Sequence, residues 1–304
     1  MTEKENVLMM FKDEQPEWVP RSLYGPPTPG DPYKPAFAGV MPSVIGPKKH
    51  GEDSVDIFGV PYTATDSAGG GALPTPNAFI LDDITKWHDV IKVPSLEGID
   101  WEQVCKKDMA HVDRENQICT LTGQAGVFQL LMNFMGFTEG LCALYEEPEE
   151  CKALFDYLLD FYVKVTKEYM YWVKPDILGM GDDNATARAP FISLEMYREL
   201  CKPSHMRMGQ LAIDAGIPVN FHDCGKCEDQ IEDWFDFGVK IWNPAQIMND
   251  LVGIKKKYGN KLILCGCWDS QGPAGWTDAQ EDFVREQVRE CIDTFAPGGG
   301  FIFT

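Results

Sequence analysis

The chain has 304 residues, of which 44% are hydrophobic, and its 47 acidic against 27 basic side chains give a formal net charge of -20. This charge excludes nucleic acid or an anionic membrane surface as the expected main partner, because both repel an acidic protein. The amino-terminal segment has no basic stretch followed by an apolar one, and no window approaches the length of a membrane span, so we expect a soluble, cytoplasmic protein.

The first fifty residues are rich in Pro, Gly and turn signals, as in EWVPRSLYGPPTPGDPYKP. This composition predicts an irregular arm wrapped over a domain. Residues 51–94 continue irregularly, and the glycine run at residues 69–71 lacks the spacing and the trailing Lys of a phosphate-binding loop. We therefore expect residues 1–304 to form one domain, with an amino-terminal arm at residues 1–50.

From Pro148 onward, helices alternate with short apolar strands. The segment PEECKALFDYLLDFYVKVTKEYMYWV has the three-to-four apolar spacing of a helix, and the strand in DILGMGDDN ends at Asp182 and Asp183. Ser193 is a suitable N-cap for the next helix, in which Pro203 predicts a kink or a break. The following elements are the strand IPVNF, the helix CEDQIEDWFDF, the strand VKIW, a helix near DLVGIKKKY, the strand KLILCGC, a helix with Thr277 and Gln280 in capping-box spacing, and the strand GFIFT.

At least five such units indicate a parallel sheet built from crossover connections. The sequence lacks the GxGxxG fingerprint of a dinucleotide-binding sheet, and so many consecutive units favour a closed barrel. We therefore predict an α/β fold, a TIM (β/α)8 barrel with an irregular amino-terminal arm.

A histidine and a cysteine follow one of these strands, at the end where a barrel places its active site. His222 and Cys224, in NFHDCG, lie two residues apart, so their side chains project to the same side. Zinc accepts imidazole nitrogen and thiolate sulfur together, and a catalytic zinc site keeps one position open. A His and a Cys that merely pack are the alternative, but the strand-end position, the following Gly225 and a second pair of cysteines at another strand end favour zinc.

Three cysteines are candidates for the third ligand. Cys267, in LILCGCWD, stands at the mouth of a later strand and is the first choice. Cys265 shares its face one layer deeper, and Cys227 completes a C-x-x-C but enters the next helix. The remaining cysteines are expected to be reduced and to pack as small hydrophobic residues.

Asp182 and Asp183 are candidates for catalysis. One of them would act as a general acid or hold the substrate, because a metal stabilises charge but supplies no proton. A solvated acidic loop is the alternative. Aromatic residues near the predicted strand mouths are compatible with an apolar, planar substrate: Trp18, Tyr24, Phe58, Tyr62, Trp242 and Trp268.

Four segments resemble the uroporphyrinogen decarboxylase-like superfamily and, within it, the zinc-dependent methyltransferases that work with corrinoid proteins. They are NFHDCG, GQAGVFQLLMNFMGFTEGLCALYEEPEE, GDDNATARAPFISLEMYRELCKP and LILCGCWDSQGP. By this resemblance, His222 and Cys224 would be zinc ligands, and cobalamin would be carried by a separate corrinoid protein.

The sequence departs from that superfamily in two places. Decarboxylases carry an arginine-containing motif near the amino terminus, whereas EWVPRSLYGPP offers only Arg21. In the methyltransferases a further zinc cysteine follows the last barrel strand, whereas this sequence stops at Thr304, inside that predicted strand. The third ligand would then be Cys267 or lie beyond Thr304.

The resemblance implies an enzyme that transfers a methyl group between a small methylated substrate and a corrinoid protein. A methoxylated aromatic, and hence O-demethylation, is the expected case, with zinc as a Lewis acid on the leaving atom. In the opposite direction, a methylcorrinoid:thiol methyltransferase would use a zinc-activated thiolate as the acceptor. The alternatives are a tetrapyrrole decarboxylase, which needs several basic residues at the barrel mouth, and a non-enzymatic zinc-binding platform for a corrinoid protein.

Overall fold

The computed structural model describes residues 1–22, 35–46, 51–66, 71–124 and 126–304, with the backbone alone at Gly123 and Gln124. Tyr24 and most of the glycine run lie outside these ranges. The strands are Phe37–Val40 (β1), Ser54–Val55 (β2), Pro61–Ala64 (β3), Ala72–Pro74 (β4), Ile118–Gln124 (β5), Ile177–Gly181 (β6), Val219–His222 (β7), Val239–Ala245 (β8), Ile263–Gly266 (β9) and Phe301–Phe303 (β10). The α-helices are Glu3–Phe11 (α1), Trp87–Val90 (α2), Trp101–Asp108 (α3), Val127–Met135 (α4), Phe137–Glu146 (α5), Pro148–Val173 (α6), Leu194–Met196 (α7), Lys202–Ala215 (α8), Ile231–Trp234 (α9), Leu251–Tyr258 (α10) and Glu281–Phe295 (α11).

A parallel sheet with the strand order β1-β5-β6-β7-β8-β9-β10 carries the fold. Residues 20–22 run parallel to β10 on its other side: the Ser22 N–H donates to the Phe303 carbonyl at 2.9 Å, and the Phe303 N–H donates to the Pro20 carbonyl at 2.9 Å. One inward residue from each strand of this sheet lines the same central cavity: Gly39, Thr120, Gly179, Asn220, Ile241, Cys265 and Ile302. The sheet is therefore curled as in a barrel, and the predicted fold class is confirmed.

Helix α1 covers the amino-terminal end of this barrel. Its Val7 and Met10 are fully buried, in one apolar cluster with isoleucines that begin the strands, such as Ile118 and Ile177. Burial of these side chains replaces water at the barrel floor with apolar contacts. The cavity is therefore closed at this end and faces the carboxyl ends of the strands.

The first ninety residues are more regular than the sequence predicts. Both α1 and β1 lie within the expected arm, and β2, β3 and β4 form a small antiparallel sheet. A turn at Asp56 joins the first two strands of this sheet, since its carboxylate accepts the N–H groups of Phe58 and Val60, each at 2.9 Å. Side-chain hydrogen bonds of this kind leave no hydrophobic periodicity in the sequence, so the pattern could not indicate these strands.

The helices after residue 148 follow the sequence closely, with two differences. Ser193 caps α7 by accepting the Met196 N–H at 3.1 Å, and a π-helical turn, Tyr197–Cys201, precedes the start of α8 near Pro203. The predicted capping box is wrong, because α11 begins at Glu281 after an N-cap Gln280 that makes no side-chain cap bond. The predicted helix before β8 is split into short 3-10 and α turns.

Within the described ranges, no single helix is long and apolar enough to cross a membrane. Only α4 and α5 taken together have the required length and composition, and this pair is bent by 118°.

Candidate metal centre

Three ligand atoms converge where β6 and β7 end: a carboxylate oxygen of Asp183, Nε2 of His222 and Sγ of Cys224. The imidazole Nε2 lies 3.4 Å from the sulfur and 3.5 Å from Asp183 Oδ1. Zinc bonds of 2.0 to 2.3 Å in a tetrahedron place ligand atoms roughly 3.3 to 3.8 Å apart. The spacing and the N, S and O donor set therefore fit a zinc ion with three protein ligands.

The backbone holds these side chains in register. Gly181 pairs with His222 across β6 and β7, and the Asp182 N–H donates to the His222 carbonyl at 3.0 Å. Asp183 Oδ1 accepts the Cys224 N–H at 2.9 Å, so the carboxylate is fixed to the loop that carries the thiol. Contacts of this kind orient metal ligands before the metal binds.

Gly225 explains the glycine of the H-x-C-G motif. Its φ is +96°, and a Cβ at this position would lie 2.6 Å from the Thr186 carbonyl oxygen and 2.7 Å from that of Ala185. Its N–H donates to Gln246 Oε1 at 2.6 Å. Only glycine therefore lets the Cys224 loop pack against the segment after β6 without strain.

The centre is rich in acidic groups. Burial, and after it the carboxylate of Asp183, raises the pKa of the Cys224 thiol far above its ordinary value. Burial also raises the pKa of the neighbouring Asp223. The hydrogen bonds that Asn184 donates to this carboxylate lower the pKa, but burial has the larger effect. A bound cation would stabilise the thiolate, and so metal binding here must displace a proton from sulfur.

Asp182 points away from this centre. Its side chain is buried and accepts the N–H groups of Phe128 at 3.1 Å and Gln129 at 2.9 Å, while His205 Nε2 lies 3.0 Å away. These bonds attach the carboxylate to the first turn of α4, where the helix dipole favours a negative charge. Asp182 is thus not part of a solvated loop, and its contacts are those of a residue that positions α4.

Cys267 does not meet His222 and Cys224. The backbone leaves the strand conformation here, with φ angles of +132° at Gly266 and +64° at Cys267. The prediction assumed that side chains alternate along the strand as far as Cys267, but this alternation ends before that residue. Cys267 lines a separate pocket of about 240 Å³ with Cys291 of α11. Of the other two candidates, Cys265 lies in the barrel cavity, and the buried Cys227 thiol donates to the Asp223 and Gly225 carbonyls at 3.5 and 3.6 Å.

The central cavity beside the metal centre has a volume of about 570 Å³, which is in the range of small-molecule sites. His222 lines it, together with Thr, Asn and Gln side chains and an apolar floor. Where the structure is described, no Lys, Arg, Asp or Glu lines the cavity, and Phe37 is its aromatic residue. Of the aromatic residues singled out in the sequence, those that the structure describes are not part of this lining; Trp242, for example, is buried elsewhere.

Sequence reasoning missed the polar residues that support the loop. Asn184 and Gln230 exchange amide hydrogen bonds at 2.6 and 3.3 Å, and Asn249 accepts the N–H groups of Cys227 and Glu228, each at 3.1 Å. Two positions in the sequence could have indicated these supporting residues: Asp223 lies inside the H-x-C-G motif, and Asn184 directly follows Asp182 and Asp183.

Comparisons with known proteins place this geometry in a family. The model of the family described as uroporphyrinogen decarboxylase (URO-D) matches residues 78–304. The chain therefore belongs to the uroporphyrinogen decarboxylase family, as the sequence resemblance predicted.

Solved structures support the fold. The chain is similar to a methyltransferase from Methanosarcina mazei, with a TM-score of 0.61 and 13% identity over 100% of this chain and 92% of that one. A Xanthomonas albilineans dihydropteroate synthase with 4-aminobenzoic acid matches 49% of this chain and 52% of its own, at 11% identity and a TM-score of 0.33, which is too low to bear on the fold. No curated protein matches the chain.

Proposed function

We propose that this member of the family is a zinc-dependent methyltransferase, which moves a methyl group from a small methylated substrate to a corrinoid protein. The convergence of Asp183, His222 and Cys224 at the spacing of a tetrahedral zinc site carries the proposal. In this assignment Asp183 is the third zinc ligand and not a proton donor. Zinc held by these residues would act as a Lewis acid on the atom that loses the methyl group. That atom would keep the electron pair of the broken bond, and the reduced cobalt of the partner would supply the pair of the new bond.

The residues of the chain have distinct roles in this reaction. His222 lines the cavity, so a zinc ion held by its Nε2 would lie at the cavity wall, next to the methylated atom of a bound substrate. Asp183 and Cys224 anchor the site through the loop hydrogen bond between them. Asp182 holds the start of α4 and with it Gln129, whose side chain lines the cavity. The apolar floor excludes water from the methyl group, which favours transfer to cobalt over other acceptors.

The uncharged cavity favours methyl transfer over decarboxylation of a tetrapyrrole. Such a substrate carries several carboxylates, and burying them requires basic partners. None of the described cavity-lining residues is a Lys or Arg, and the one imidazole there, of His222, is assigned to the metal. The net charge of -20 acts in the same direction.

The test is a methyl-transfer assay with zinc content measured on the same sample. Reduced free cobalamin replaces the corrinoid protein as acceptor, methoxylated aromatics, methylamines and methyl thioethers serve as donors, and the visible spectrum reports methylcobalamin. We expect zinc-dependent transfer that is lost in Cys224→Ser and retained in Cys142→Ser, a matched change at an exposed thiol of α5.

Two further arms of this assay test the alternatives. Methylcobalamin with a thiol acceptor tests the reverse direction, and porphyrinogen with a chelator tests decarboxylation. Decarboxylation without metal, or no methyl transfer in either direction by fully zinc-loaded protein, would contradict the proposal. Co-purification of a corrinoid-carrying protein with the tagged chain tests the partner separately.

A further inference from the structure

One carboxamide in the barrel cavity has no partner. Asn220 lies on β7 two residues before His222, and both side chains line the cavity. Two residues along a strand span about 6.6 Å, so the amide lies one layer beneath the metal centre, toward the barrel floor. Its Oδ1 is buried without a hydrogen-bond partner among the described residues, whereas the side chain as a whole is only partly buried.

The amides around the metal centre are all engaged, which makes Asn220 an exception. Gln246 accepts the Gly225 N–H at 2.6 Å, and Asn249 donates to the Gly225 carbonyl at 2.9 Å. A buried polar atom without a partner, such as Asn220 Oδ1, costs about 1 to 3 kcal/mol, so such atoms call for an explanation. The cavity is the side from which a partner for Asn220 can come.

The wall beside Asn220 leaves room for that partner. The inward positions of β6 are Gly179 and Gly181, and Gly179 pairs directly with Asn220. A Cβ at Gly179 would lie 3.1 Å from the Leu121 carbonyl oxygen. Glycine therefore lets the neighbouring strand pack closely and leaves no side chain of β6 beside Asn220. The open volume therefore extends from His222 down past Asn220 to the apolar floor of Ile241 and Ile302.

We infer that this cavity selects uncharged methylated substrates that carry a hydroxyl or amide about one strand layer from the methylated atom, and that Asn220 recognises this group. The inference rests on the proposed function, which places the methylated atom at a zinc ion held by His222. An anionic substrate is disfavoured, because none of the described lining residues is a Lys or Arg and the chain carries a net charge of -20. On a small ring, a hydroxyl opposite the methoxy group spans this distance better than an adjacent one.

The experiment measures binding to the zinc-loaded protein by calorimetry with three probes. They are 4-methoxyphenol, methoxybenzene, which lacks the hydroxyl, and 4-methoxybenzoate, which carries a charge. We expect 4-methoxyphenol to bind about tenfold more tightly than methoxybenzene, the value of one net hydrogen bond. The carboxylate should bind more weakly than either.

The variants Asn220→Leu and Asn220→Ala should abolish the preference for the hydroxyl and bind the two neutral probes equally. One variant keeps the volume and the other creates space, so at least one is expected to fold, and thermal unfolding monitors both. Asn260→Leu, in the turn Gly259–Lys261 at the amino end of β9, is the matched control and should keep the tenfold preference.

Equal or tighter binding of the carboxylate, no binding of either neutral probe, or an unchanged preference in both Asn220 variants would overturn the inference. Selective, Asn220-dependent binding without methyl transfer would remove the proposed function and leave the binding site. Methyl transfer without an Asn220-dependent preference would do the opposite.

Discussion

Replacing Asp183 by Asn should weaken zinc binding, whereas the same change at the adjacent Asp182 should weaken folding. Asp183 provides a ligand atom, and loss of a mere outer partner of a metal ligand already costs about 10 to 100-fold in affinity. The change also removes the carboxylate that, after burial, does most to raise the pKa of Cys224, so the thiol ionises more readily and offsets part of the loss. We therefore expect about a 100-fold fall in zinc affinity, or ~2.7 kcal/mol.

Asp182→Asn has a different cost. The buried carboxylate accepts two α4 N–H groups and lies beside His205. An asparagine retains one acceptor and must turn its NH2 toward one of these donors. Losing one hydrogen bond to a charged group lowers the free energy of unfolding by about 1.5 to 3 kcal/mol. Zinc affinity should change little.

Competition with a chromophoric zinc chelator at neutral pH measures the first effect, and denaturant unfolding of the metal-free protein measures the second. The two changes are isosteric and adjacent, so each variant is the control for the other. Unchanged zinc affinity in Asp183→Asn would refute the ligand assignment and direct the search to Cys265 or to residues outside the described ranges.

Three further changes test the metal centre. Cys267→Ser should keep full zinc occupancy and Cys224→Ser should lose it, as measured by metal analysis; equal losses would restore Cys267 as a ligand. Zinc affinity should rise with pH through the neutral range, because burial raises the pKa of the Cys224 thiol and the metal must displace the proton of that thiol. The affinity should fall about tenfold for each pH unit below this pKa. An affinity that does not change with pH in a titration would mean that no thiolate forms. Gly225→Ala should lower the free energy of unfolding by about 1 to 3 kcal/mol, through backbone strain and the close contact with Thr186. Gly216 is also at positive φ, but a Cβ there would have no atom within 4 Å, so Gly216→Ala should lower this free energy less in the same denaturant assay. Equal losses in the two variants would show that the packing of the Cys224 loop is unimportant.

The two-residue spacing correctly predicted that His222 and Cys224 lie together, although Cys224 is beyond β7 and is held there by the hydrogen bond of its N–H to Asp183. It failed at Cys267, because the backbone leaves the strand conformation at Gly266, and no local pattern marks that departure. At Asp182 and Asp183 the strand end was correctly predicted. Which acid faces His222 and Cys224, however, depends on α4, whose first N–H groups bind Asp182 and leave Asp183 for the candidate metal centre.

Strand β1 was hidden for a related reason. Its four residues, Phe37–Val40, are too few to show a period, and their partner β5 lies about eighty residues later in the chain. Asn220 could be predicted to lie in a strand. The lack of a hydrogen-bond partner for its Oδ1 could not be predicted from the sequence, because it depends on the glycines of β6 and on every other strand around the cavity.

Residues 20–22 also have a consequence for solubility. Without them, β10 would present unpaired N–H and C=O groups along the exposed side of the sheet, the arrangement through which proteins pair edge to edge and aggregate. The segment is held in place from the barrel floor, since the buried Asn6 of α1 donates to the Trp18 carbonyl at 2.9 Å and accepts the Glu17 N–H at 2.8 Å. A lesion in α1 would therefore appear first as self-association of otherwise intact molecules, at a distance from the residues that we propose bind metal and substrate.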